Sequence, residues 1–162
     1  MIISPVSDKF PVTQGYGERP EFYKKIGIKY GIPLKYHDGI DIGTPLNTPI
    51  YSPIDGKVNF KNDPDGYGKY VVMTGLPYNK AGDYRECLMA HLSGFCGIDG
   101  EEVRAGDQVG ISGNSGNSSG SHLHFSIRRR DKKGKVINYQ DNCGWQNIFN
   151  KGWIIKNEIS KF

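Results

Sequence analysis

His122-Leu123-His124-Phe125-Ser126-Ile127-Arg128 alternates polar and apolar side chains without a break. Alternation with a period of two is the pattern of a half-buried strand, because successive side chains point to opposite faces. Leu123 and Phe125 then supply an apolar face, and His122 and His124 reach the other side together. Two imidazoles on one face can share a metal. Equally, one can bind the metal while the other handles protons. The spacing does not say which of the two is the ligand.

Outward from this strand, other short stretches read the same way. They are Ile50 to Pro53, Gly56 to Phe60, Lys69 to Met73, Arg85 to His91 and Gln108 to Ile111. Turn signals separate them, at Asp55-Gly56, Asp63-Pro64-Asp65-Gly66, Asp99-Gly100 and Ala105-Gly106-Asp107. No window between residues 40 and 140 keeps a helical period for three turns. Helix is expected only at about residues 20–30 and in the tail near 145–160. The fold class is therefore mainly β, with antiparallel sheets. The 162 residues suit one domain, and 22 Gly and 9 Pro suit many tight turns. The hydrophobic fraction is only 36%, but it includes ten Tyr, seven Phe and two Trp, which each bury a large area.

The chain has four histidines, so their placement carries information. In His37-Asp38-Gly39-Ile40-Asp41, the four-residue step puts His37 and Asp41 on one face of a strand or a helix. Gly39 permits close backbone approach there, having no Cβ. Zn²⁺ accepts imidazole nitrogen together with carboxylate oxygen, and a catalytic zinc keeps three protein ligands and one open position. Two His and one Asp meet that requirement; a third imidazole would close the site and make it structural. Asp38 is expected to point away from Asp41, as a solvent-facing or supporting residue. His91 ends an apolar strand, where it either caps the strand or joins the site. The Gly/Ser-rich run from Ser112 to Ser121 resembles a linker in composition. It leads straight into the His-x-His strand, however, so a tight loop presenting backbone N–H groups beside the metal is expected.

Taken together, His37-Asp38-Gly39-Ile40-Asp41, His91-Leu92-Ser93 and the run from Gly110 to Phe125 resemble the signature of the lysostaphin/LytM-type metallopeptidases, the M23 family. Supporting segments are Gly43-Thr44-Pro45, Pro49 to Pro53, Asp55 to Val58 and Gly66 to Val72. The resemblance covers about residues 10–130, leaving a C-terminal extension at about 140–162. It implies an antiparallel β fold with the zinc site in a groove, and a zinc metalloendopeptidase that cleaves peptide cross-links of bacterial peptidoglycan. It also implies that His37, Asp41 and His124 are the zinc ligands, and that His91 and His122 act on water and substrate. Ser121 stands where the family commonly has Pro, and Ser126 where it commonly has Glu; neither position supplies a ligand. The segment from Arg19 to Tyr36 resembles phage and prophage members. The alternative is a non-catalytic wall-binding, hydrolase-activating or virion structural module of the same fold.

Composition narrows the partners. A formal charge of +4 favours an anionic partner without choosing one. The run Arg128-Arg129-Arg130-Asp131-Lys132-Lys133 has no interleaved aromatics to stack bases, and is expected to be a solvated hairpin tip rather than a nucleic-acid site. No stretch is long and apolar enough to span a membrane, and the N-terminus lacks the pattern of a signal peptide. The expectation is a monomer made in the cytoplasm and acting on the wall as a phage or virion-borne lysin, or else a trimmed extracellular form. Cys87, Cys96 and Cys143 match no metal or redox spacing, and a Cys87–Cys96 bridge is open to them. Trp145 and Trp153 in the tail are expected to pack on the sheet.

Overall fold

The computed structural model of the chain describes residues 2–6, 10–30 and 36–138. Six strands fall where alternation and turn residues placed them. They are β3 (Pro49–Tyr51), β4 (Gly56–Asp63), β5 (Gly68–Gly75), β6 (Tyr84–Phe95), β8 (Gln108–Ser112) and β9 (Leu123–Arg130). Four more, β1 (Val12–Gln14), β2 (Ile40–Ile42), β7 (Glu102–Val103) and β10 (Val136–Asn138), have only two or three residues each. Strands that short give alternation too little length to register. The one helix among the described residues, α1 (Pro20–Tyr30), lies where helix was expected near the N-terminus. The helix expected near 145–160, with Trp145, Trp153 and Cys143, lies outside the described residues.

The strands pair antiparallel in the order β1-β2-β9-β6-β5-β4-β7, with β10 on the end of β9 and β8 bridging β6 to β3. β9 lies inside the sheet between β2 and β6, and its apolar face is complete: Leu123, Phe125 and Ile127 are all 0% exposed. Beside it, β2 is in register with Ile40 opposite Phe125, Asp41 opposite His124 and Ile42 opposite Leu123. Ile40 and Ile42 join the core with Val71, Met73 and Met89. The same alternation turns Asp41 and His124 to the other side as a directly opposed pair.

β6 changes partners partway along. Residues 84–90 pair with β9, and residues 92–95 pair with β8. Against β5 the register slips between Val71↔Met89 and Lys69↔Leu92, so Ala90 and His91 together oppose Tyr70. This is a bulge, a device that bends a strand and re-aims a side chain. His91 adopts φ 62° there, a left-handed conformation costing a residue with a Cβ about 1–3 kcal/mol.

The bridge between Cys87 and Cys96 is not formed. Cys87 lies in β6 and Cys96 follows its last residue. Nine residues of strand at roughly 3.3 Å each put them far beyond disulfide reach.

Candidate active site

Three side chains meet where β2 and β9 face a cleft of about 200 Å³. His37 Nε2, His124 Nδ1 and Asp41 Oδ1 form a near-equilateral triangle: His37 to Asp41 is 3.0 Å, His124 to Asp41 is 3.0 Å, and His37 to His124 is 3.0 Å. Asp41 and His124 owe their places to the β2–β9 register. His37 lies just before β2, in a loop tied by the Gly17 N–H donating to the His37 carbonyl and the His37 N–H donating to the Glu18 carbonyl. Its Nδ1 is 2.7 Å from the Gly15 carbonyl, which fixes the proton there and leaves Nε2 as a lone pair. Gly39 is required between them: a Cβ there would sit 2.5 Å from the Phe125 carbonyl oxygen and 2.9 Å from the His124 ring.

The donor set fits a divalent metal. A tetrahedral ion with ligands at about 2.0–2.1 Å needs neighbouring ligand atoms roughly 3.3 Å apart, close to the triangle's edges. Its fourth position would face the cleft. Without the ion, three donors this close need protons between them. The His124 ring, where burial acts against charge, is pushed up to about 9 by its contacts with Asp38 and Asp41. Burial acts to raise Asp41, but its close contacts with the His124 and His37 rings outweigh it and hold the carboxyl well below the usual range.

Asp38 does not turn away to solvent. Its Oδ1 lies 3.1 Å from His124 Nε2, the nitrogen remote from the triangle. Its Oδ2 accepts from the Tyr67 hydroxyl at 2.6 Å and from Arg128 Nη2 at 2.7 Å. His124 Nε2 makes no aligned hydrogen bond among the described residues, so Asp38 acts on the ring through its charge at this short distance. Arg128 is therefore no solvated tip residue. Arg130, two residues on and on the same face of β9, forms a double contact with Glu86 at 2.7 and 2.9 Å. Only the turn from Asp131 to Lys135 fits the expected hairpin tip.

The two remaining histidines stand side by side, with ring centroids 4.7 Å apart. His91 Nδ1 donates to the Ser115 carbonyl at 2.9 Å, which leaves Nε2 unprotonated. Burial, with the nearby His124 charge, lowers its pKa to about 4. His122 Nδ1 lies 2.8 Å from the Gly120 carbonyl, and its Nε2 lies 3.6 Å from Asp41 Oδ1. The loop before β9 thus presents carbonyl oxygens that orient two histidines. It is tight, as expected: at Gly116 (φ 73°) a Cβ would collide with the backbone of Gly68.

All five residues singled out in the sequence line this one cleft, with Tyr67, Tyr23 and Gln14 beside them. Tyr23, from α1, stacks on His37 with centroids 5.4 Å apart. Asp38, Tyr67 and Arg128 were not legible as a unit, because 29 and 90 residues separate the partners.

The chain is similar to known proteins in sequence and in fold. Over 121 residues, 70% of its length, the chain is 33% identical to the DD-carboxypeptidase/endopeptidase Mpg of Neisseria meningitidis serogroup B. It spans 26% of that relative. A zinc-containing peptidase from Vibrio cholerae superposes with a TM-score of 0.61 at 27% identity, over 81% of this chain and 39% of that one. The catalytic domain of the antimicrobial peptidase lysostaphin from Staphylococcus simulans does so with a TM-score of 0.58 at 26% identity, over 74% and 80%. The family model of peptidase family M23 matches residues 35–139, a span holding β2 to β10 and all four histidines, so the chain belongs to that family.

Proposed function

We propose that this chain is a zinc-dependent endopeptidase that hydrolyses peptide cross-links of bacterial peptidoglycan. The observation that carries the reading is the triangle of His37, His124 and Asp41, set beside two further histidines whose rings are already oriented. In this reading His37 binds zinc through Nε2, His124 through Nδ1 and Asp41 through its carboxylate. When bound, zinc polarises the scissile carbonyl and lets water act as a nucleophile near neutral pH.

The chain's own residues do the rest. His91, neutral with its proton held on Nδ1, takes a proton from the attacking water at Nε2. Water oxygen bonds to the carbonyl carbon as the amide C–N bond breaks. His122, its Nδ1 proton held by the Gly120 carbonyl, donates to the developing oxyanion from Nε2 as the imidazolium, and the proton His91 took from water passes to the leaving amine. Asp38 keeps the His124 ring from rotating away. The relatives named as a DD-carboxypeptidase/endopeptidase and as lysostaphin support a wall peptide as substrate. We place the activity in a phage or prophage lysin, on the resemblance of the segment from Arg19 to Tyr36; neighbouring lysis or virion genes would check that setting.

The test is turbidity of purified cell walls treated with the protein, with chelated protein and with zinc-restored protein, alongside mass spectrometry of the fragments. Lysis lost on chelation, regained with zinc and accompanied by new amino termini is expected. Absence of lysis on every wall type despite bound zinc would overturn the proposal.

A further inference from the structure

α1 adds a wall to the cleft, and that wall carries a positive charge the proposed chemistry does not use. Arg19 immediately precedes the helix and lines the cleft together with Phe22, Tyr23 and Ile26. Its guanidinium stacks over the Phe22 ring, 4.2 Å from the centroid. Phe22 in turn meets Tyr23 edge to face at 5.3 Å, and Tyr23 stacks on His37. A continuous line of rings therefore runs from a proposed zinc ligand to the guanidinium. The backbone fixes the same relation, since Glu18, the residue before Arg19, accepts from the His37 N–H.

Three features separate Arg19 from an ordinary surface arginine. Among the described residues lining the cleft, it is the one bearing a permanent positive charge. Asp63 and Asp65 line the same cleft, yet no carboxylate among the described residues comes within ion-pair distance of Arg19. Its φ is 52°, a left-handed conformation that a residue with a Cβ rarely adopts. A planar guanidinium held on an aromatic face keeps its N–H edge free, and that edge matches the two oxygens of a carboxylate.

We infer that Arg19 is a specificity-determining residue that receives a free carboxylate of the substrate peptide, so that the cleft selects cross-links containing a carboxylate-bearing diamino acid over glycine bridges. The inference rests on the peptidase reading above and deepens it. α1 is the element that makes the difference, since it brings the arginine to the cleft and supplies the ring on which it lies.

The test uses three synthetic probes: a D-alanyl–diaminopimelate cross-linked peptide, the same peptide with the diaminopimelate carboxylate beside the scissile nitrogen converted to carboxamide, and pentaglycine. Binding is measured by calorimetry on the full chain carrying His91→Ala, loaded with zinc, with and without Arg19→Gln. The carboxylated peptide is expected to bind at least about tenfold more tightly than the carboxamide, as a charge-assisted pair would give. Arg19→Gln should bring it down to the carboxamide's level, and Arg19→Lys should restore part of the preference. Equal binding of the two peptides, no binding of the carboxylated one, or an equal loss for both in Arg19→Gln would overturn the inference. A preference that depends on Arg19, found together with no cleavage by the unmutated protein, would sustain the inference while removing the hydrolase reading.

Discussion

Replacing Asp38 with asparagine keeps the side chain's size and removes its charge, which isolates what the carboxylate does for His124. Burial acts to raise the Asp38 carboxyl, but the contact with His124 and the charge of Arg128 outweigh it and hold it well below the usual range. In the variant the partner 3.1 Å from His124 Nε2 becomes a neutral amide. Loss of a group that orients a metal-binding histidine typically costs about 10–100-fold in metal affinity, or roughly 1.4–2.8 kcal/mol. There is a second cost, to the fold. The Arg128 side chain is 12% exposed and would lose its closest anionic partner. Breaking a buried pair costs about 3–5 kcal/mol. Arg128 keeps the Tyr67 hydroxyl at 3.0 Å and Glu86 at 3.6 Å, so we expect a smaller loss, about 2–3 kcal/mol. Zinc affinity measured by competition with a chromophoric chelator reads the first effect. Denaturant unfolding in excess chelator reads the second, without metal. Zinc affinity within about twofold of the parent, in a variant that still folds, would refute the role given to Asp38.

His37→Ala and His124→Ala should lose both bound zinc and turnover, by metal analysis alongside wall lysis. His91→Ala and His122→Ala should retain stoichiometric zinc and lose turnover by about 10²-fold or more; near-parent activity in His91→Ala would remove it as the base. Gly39→Ala should fail to assemble the site, because its Cβ meets the Phe125 carbonyl and the His124 ring; unchanged zinc affinity would contradict that. In the metal-free protein the His124 pKa is raised to about 9, above its ordinary unfolded value near 6.5. Its contribution to stability is therefore complete below about 6.5 and lost as pH rises through 9. Chelated protein should melt at a lower temperature at pH 9.5 than at pH 6, and a flat profile would count against the Asp38–His124–Asp41 contacts.

Much of the fold could be read from local pattern. β9 was legible because seven residues alternate without a break, and β4, β5 and β6 because eight to twelve residues reach one another across short, turn-rich connections. β2 was not, since three residues carry no period of their own; they form a strand because β9 supplies both partner and register. The same pairing turned the H-D-G-I-D motif into half a site. The bulge at His91 left no mark in the sequence either. It arises where β6 leaves β9 for β8, a change of partner that only the assembled sheet imposes.

The sequence by itself determined which residues were candidates for the site. Imidazoles two residues apart in a strand must share a face, and His37 and Asp41 flank a glycine that admits close approach; these are consequences of bond geometry over a few residues. Only the tertiary structure decided what holds them. Asp38 meets Arg128 across 90 positions, Ser115 meets His91 across 24, and α1 carries Arg19 to the cleft. The physical reason is range. Alternation and turn chemistry act over a handful of residues, whereas the orientation of a buried ring is set by whichever distant carbonyl or carboxylate the packed sheet delivers to its second nitrogen.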